Sequence, residues 1–137
     1  MKKTTYLLLS FVLILLAYSG QSKSGPSKPV KIILDTDIGP DYDDVGAMAV
    51  LHALADSGKA EILATLSCNK DSLVVPTIEV INTYFGRAAI PVGAPKSKGV
   101  SLGAAQHWPD SIAARFPHQI GSSRLAPDAG PCKKIKS

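Results

Sequence analysis

Asp35, Asp37, Asp41, Asp43 and Asp44 place five carboxylates within ten residues of the stretch K-I-I-L-D-T-D-I-G-P-D-Y-D-D-V-G-A-M, Lys31 to Met48. Like charges at this density repel and raise one another's pKa values, so such a turn asks for a cation. Hard divalent cations take oxygen ligands, and calcium takes about six to eight of them. Asp37, just after an apolar run, and Asp44, where a helical pattern begins, can converge on one ion because Gly39 and Pro40 reverse the chain between them. An EF-hand is excluded by its own spacing: Gly39 stands where a third oxygen ligand belongs, and Gly46 where the closing Glu should be. An Asp at a strand-to-helix turn is often only a cap or turn former. That alternative stays open for Asp35 and Asp41.

These residues need elements to hold them. Residues 30–34 are consecutively apolar apart from Lys31, the pattern of a parallel strand buried on both faces. Asp41 or Asp43 is a suitable N-cap for a helix over residues 43–57, with Val45, Met48, Leu51, His52, Leu54 and Ala55 at helical spacing and Gly58 as its stop. Residues 60–67 read as a second strand. Pro76 suits the first turn of a second helix, in which Ile78, Ile81 and Phe85 share a face and Gly86 is the stop. Residues 90–93 make a short third strand. This alternation predicts an α/β fold, an incomplete doubly wound, mostly parallel sheet. In such sheets ligands bind beyond the carboxyl ends of the strands, where both the Asp cluster and residues 67–71 fall. Later signals are weaker: a loop over residues 96–103, a short helix over 110–116, and no strand or helix from Gly121 onward.

Lys2 and Lys3 precede an apolar segment, residues 6–18, followed by small residues around Ser19, the pattern of a secretory signal peptide over residues 1–19. Thirteen apolar residues are short for a membrane span, so no stable anchor is expected after cleavage, and the product is exported, periplasmic or secreted. Residues 20–29 read as a disordered leader, 30–129 as the domain, and 130–137 as a tail outside it. The formal charge is +4. However, residues 30–130 hold eight basic side chains against all eleven acidic ones, leaving the domain about three units negative. Nucleic-acid binding, which places a basic patch on the domain itself, is not expected. Two cysteines, Cys68 and Cys132, offer no zinc spacing; Cys68 is expected to pack as a small buried residue, and their pairing is open.

The ordered motif D-T-D-I-G-P-D-Y-D-D-V-G-A-M after an apolar strand resembles the N-terminal signature of the inosine-uridine preferring nucleoside hydrolases. The later A-T-L-S-C-N and I-P-V-G-A-P are also similar to that family, and the likeness covers about residues 30–96. The resemblance implies calcium-dependent hydrolysis of the N-glycosidic bond of ribonucleosides to base and ribose, as in nucleoside salvage. It further implies that Asp37 is both calcium ligand and the catalytic base toward water, Asp44 a second calcium ligand, Asp43 and Asn69 substrate-binding residues, and Asp35 a support from behind. Members of the family are longer, and their second half carries the remaining ligands and the leaving-group acid. The domain is therefore expected to be a truncated, N-terminal portion of that fold, its partner a small-molecule ribonucleoside, with a homo-oligomer compatible. Trp108 is expected to pack, while Tyr42 stays open between packing and stacking on a base. His52 is expected to be packed or solvated.

Two other readings compete. Asp35 and Asp37 could be the nucleophile and acid of a haloacid-dehalogenase-like phosphatase, with Ser67 after the second strand. Alternatively the chain is a non-catalytic truncated or frameshifted fragment that keeps half a site.

Overall fold

A computed structural model describes residues 28–130. The expected signal peptide, most of the expected leader and nearly all of the expected tail lie outside the described residues. Strand β1, Val30–Thr36, leads to helix α1, Asp43–Asp56; β2, Ala60–Ser67, leads to α2, Val74–Tyr84; β3 is Val92–Gly93 and α3 is Trp108–Arg115. The strands form one parallel sheet in the order β1-β2-β3. The α/β class expected from the alternating pattern is therefore observed, with three parallel strands and three helices.

Glycines end the first two helices. Gly58 (φ 69°) and Gly86 (φ 72°) adopt the left-handed conformation that residues with a Cβ resist. After each, the next N–H reaches back into the helix, Lys59 to the Leu54 carbonyl and Arg87 to the Asn82 carbonyl.

Both crossovers advance the sheet in one direction, and right-handed connections then place α1 and α2 on the same face. The core lies there: Ile38, Met48, Val74, Val75, Ile78, Ile81, Val92 and Ala94 form one buried cluster, with Leu34, Val45, Phe85 and Trp108 against it. The opposite face is open among the described residues. Ile33 is 58% and Leu63 39% exposed, so β1 is not buried on both faces as its consecutive apolar residues imply. A register shift between Ile32 and Ile33 leaves Leu63 as the extra residue of β2.

Four other expectations change. The cap position of α1 is Tyr42, with no side-chain cap bond, rather than Asp41 or Asp43. Leu54 lies on the outer side of α1, 37% exposed. Finally, β3 is two residues long: Pro91 has no N–H to give to the ladder, and the Ile90 N–H turns back to the Arg87 carbonyl. α3 starts at Trp108, two residues early, with Pro109 in its first turn; Phe116 is extended, as the residue before Pro117 must be.

Residues 121–130 contain no strand or helix but still belong to the core. Ser123 and Ala126 are 2% exposed, and an isolated bridge pairs Ala94 with Asp128. The Ser123 hydroxyl donates to the Asp71 carbonyl at 2.6 Å and accepts the Val75 N–H at 3.1 Å, closing the first turn of α2.

Candidate metal and ribose site

Thr36, the last residue of β1, is the pivot of the acidic turn. Its side-chain oxygen accepts the Ile38 N–H at 3.1 Å, and its hydroxyl is near enough to Asp44, at the start of α1, to oppose the rise of that carboxylate's pKa. Ile38 is fully buried, while Asp37 before it is exposed, so the strand-like alternation delivers the carboxylate to solvent at the sheet's carboxyl edge. Gly39 follows with φ 141°, a conformation that costs glycine least, and a Cβ there would lie 3.5 Å from both Asn69 Nδ2 and the Leu102 carbonyl. The Gly39 carbonyl accepts the Trp108 indole N–H at 3.1 Å, from 69 positions away. Trp108 therefore packs over the turn as expected. Tyr42 lies against it, ring centroids 5.5 Å apart and tilted by 39°.

The carboxylates fall into two sets. One oxygen from each of Asp41, Asp43 and Asp44 lies within 4.8 Å of the others. Asp37 is near enough to Asp44 to raise its pKa. Asp35 stands apart: it is exposed and pairs with Leu66, which puts it on the face opposite Thr36 and Ser67. The side-chain interaction between Asp41 and Asp43 raises the pKa of Asp41 and lowers that of Asp43, so the two titrate as a pair. Asp44 is raised first by its partial burial and also by Asp37, against the opposing effect of the nearby Thr36 hydroxyl.

The donor set consists of hard oxygens with no nitrogen or sulfur, which suits magnesium, calcium or manganese rather than zinc or copper. Asp41 is the residue that motif reading underrated. Its i, i+2 spacing to Asp43 gives no periodic signal, and only the tight turn brings the two together.

Asn69 is fully buried. Its Nδ2 donates to the carbonyls of Asp37 (3.2 Å) and Leu102 (2.7 Å), and its Oδ1 accepts the N–H groups of Asp71 and Leu102, both at 3.0 Å. Two donated and two accepted bonds use its amide capacity. Asn69 therefore joins the acidic turn to the loop over residues 100–102 and positions Asp37 from behind. Ser67 is similarly engaged, its hydroxyl donating to the Asn69 carbonyl at 2.8 Å and accepting the Asn69 N–H at 2.9 Å.

Among the histidines, His52 is buried in the core, as packing implies, and is remote in role from the turn. His107 was not singled out by its spacing. It adopts φ 53°, uncommon for a residue with a side chain, and lines a cavity of about 270 Å³ together with Gly39, Asp71 and Asp110. Its Nδ1 lies 3.7 Å from Asp110.

Comparison of the chain with models of known protein families, with curated proteins and with solved structures yields no match.

Proposed function

We propose that the acidic turn is the calcium- and ribose-binding edge of a hydrolase that cleaves the N-glycosidic bond of ribonucleosides, of the inosine-uridine preferring nucleoside hydrolase kind. One observation carries the reading: Asp41, Asp43 and Asp44 converge, with Asp37 near enough to Asp44 to raise its pKa, at the carboxyl edge of a parallel sheet. Capping does not account for this gathering, since α1 has no side-chain cap. The nucleoside hydrolase fold, of which these three strands and their helices would be the N-terminal part, is included in the proposal.

Asp37 and Asp44 are the residues that would hold calcium, with Asp41 beside them. When bound, the ion polarises a water and the ribose diol. Asp37, exposed at the strand end, would take the proton from the attacking water. Asp43, at the first turn of α1, accepts hydrogen bonds from ribose hydroxyls. The cluster's net negative charge favours the positive charge that develops on the sugar as the bond to the base breaks. Asn69 acts through Asp37 rather than on the sugar, because its own bonds are all made within the fold. Tyr42 offers a half-exposed ring against which a base can stack.

A phosphatase reading fits less well. Asp35, its nucleophile, and Ser67 lie on opposite faces of the sheet.

Release of free base and ribose from inosine or uridine by the purified chain, with calcium, tests the proposal. Turnover abolished by Asp37→Asn supports it. Calcium binding without turnover reduces the site to a binding function. An absence of calcium binding at millimolar concentration removes the reading altogether.

A further inference from the structure

The same edge of the sheet carries a second concavity, of opposite charge. Lys70, Pro95, Lys96, Ser101, Ser123 and Arg124 line a cavity of about 430 Å³. Three cations and no carboxylate border it. All eleven acidic side chains of the chain lie among the described residues. The ion pairs among those residues are Arg87 with Asp56 and His107 with Asp110, so none of the three cations is paired. Unneutralised like charges around one hollow are relieved by an anion, as the acidic turn is by a cation.

The walls are fixed by the fold rather than by a ligand. The Lys70 N–H donates to the Val100 carbonyl at 2.8 Å, immediately after Asn69. Lys96 Nζ donates to the carbonyls of Arg124 (2.7 Å) and Ser123 (3.3 Å), which sets its ammonium at the wall with one further N–H to offer. Gly99 passes so close to Pro95 that a Cβ would lie 2.5 Å from Pro95 Cγ, and this approach holds the loop carrying Ser101. The backbone at Ser123 is anchored in turn by its buried hydroxyl. Three separate chain segments, after β2, after β3 and near residue 124, thus present charge to one volume.

We propose that this cavity is a phosphate-binding site that takes the phosphoryl group of a small phosphate monoester. A phosphoryl dianion matches three converging cations better than a single carboxylate does, and the arginine fork and lysine ammonium give charge-assisted hydrogen bonds to its oxygens. The exposed Ser101 hydroxyl can donate to another oxygen. The cavity has room for an organic portion besides the phosphate. The site stands on its own residues and does not depend on the reading of the acidic turn.

Calorimetric titration of the full chain with ribose 5-phosphate, inorganic phosphate and uncharged ribose tests it, in wild type and in the double variant Lys70→Gln/Arg124→Gln. Both substitutions are at exposed side chains, and an unchanged urea midpoint checks that the fold is intact. The expected result is saturable binding of the phosphates but not of ribose, weakened by rising salt and by about tenfold or more in the double variant. Tighter binding of ribose 5-phosphate than of inorganic phosphate supports a sugar phosphate as ligand, and equal binding supports the free ion. Protection of Lys70 and Lys96 from acetylation by bound phosphate is the second readout. No saturable binding of either phosphate, or the same affinity in the double variant, overturns the proposal.

Discussion

Asn69 Nδ2 donates to the backbone carbonyl of Asp37 at 3.2 Å, joining the loop after β2 to the turn after β1 across 32 positions of chain. The same side chain makes three further bonds to Leu102 and Asp71, so one buried amide sets the mutual position of three loops. Asn69→Ala leaves those backbone groups without their partner. A cost of roughly 3 kcal/mol is expected, from one to three per stranded buried group with partial relaxation, read as a fall in the urea midpoint. Calcium affinity should fall with it, because Asp37 loses its support. Wild-type stability in the variant would mean that water replaces the amide.

The two sets of carboxylates predict a graded response to neutralisation. Calcium at about a hundred times its dissociation constant stabilises a folded chain by about 2.7 kcal/mol, and the rise in melting temperature reports it. Asp44→Asn, at the junction of Asp37, Asp43 and Thr36, should abolish most of that rise. Asp41→Asn should reduce it in part, since Asp41 borders the same space. Asp35→Asn should leave it intact, as its carboxylate is on the other face. Equal losses in all three variants would show diffuse screening instead of a defined ion.

How much of this was legible in the sequence follows from the range of each signal. β2 and the start of α1 were read to the residue, because apolar periodicity and glycine stops act locally. The closeness of Asp43 and Asp44 was legible for the same reason, whereas Asp41, read as a turn former as readily as a ligand, completes the cluster with them. What failed depended on partners far along the chain or on neighbours in the sheet. Burial of β1 on one face only is a property of strand order, which apolar residues at 32–34 cannot report. The Trp108 bond to Gly39 and the Ser123 bonds to the start of α2 link residues with no shared pattern. Asn69 was identified as a site residue, yet its side chain is spent on the loops around it, and only tertiary contacts reveal that.

Gly99 offers a steric test of the loop arrangement. Its Cβ position lies 2.5 Å from Pro95 Cγ, 3.1 Å from Pro95 Cβ and 3.0 Å from the Cys68 carbonyl oxygen. Pro95 is buried, and the other obstacle is backbone, so neither can step aside as a flexible side chain would. Gly99→Ala should therefore destabilise by about 1–3 kcal/mol, the usual range for overpacking. Gly46, with nothing within 4 Å of a Cβ and a helical position, is the control. Gly46→Ala should stabilise by about 0.5–1 kcal/mol. Urea unfolding of the two variants should move in opposite directions, and a neutral Gly99→Ala would contradict the close approach.

His52 gives the fold a pH dependence of its own. Its ring is 1% exposed, stacked on Phe85 with centroids 4.5 Å apart. Arg87 donates to Nδ1 at 3.5 Å, so Nε2 carries the proton and donates to Asn82 Oδ1 at 3.1 Å, and Asn82 Nδ2 donates in turn to Thr65 Oγ1 at 2.9 Å. Burial first lowers the pKa of His52 below its ordinary value of 6.5, the Asn82 bond opposes this, the Arg87 charge lowers it further, and Asp56 opposes in part. The neutral ring therefore belongs to the folded state, while the unfolded chain takes up a proton more readily. Stability from His52 is complete above pH 6.5 and is lost as pH falls toward the depressed folded value. Between about pH 7 and about pH 5 the wild-type urea midpoint should decline, and in His52→Gln that decline should be shallower. His52→Leu should cost about 1–3 kcal/mol at neutral pH, because Asn82 Oδ1 is left buried without a donor. The same slope in wild type and His52→Gln would place the titrating group elsewhere, and Asp56→Asn, which removes the carboxylate that pairs Arg87 at 2.6 Å, should lower the histidine's pKa further and extend the affected pH range at its lower end.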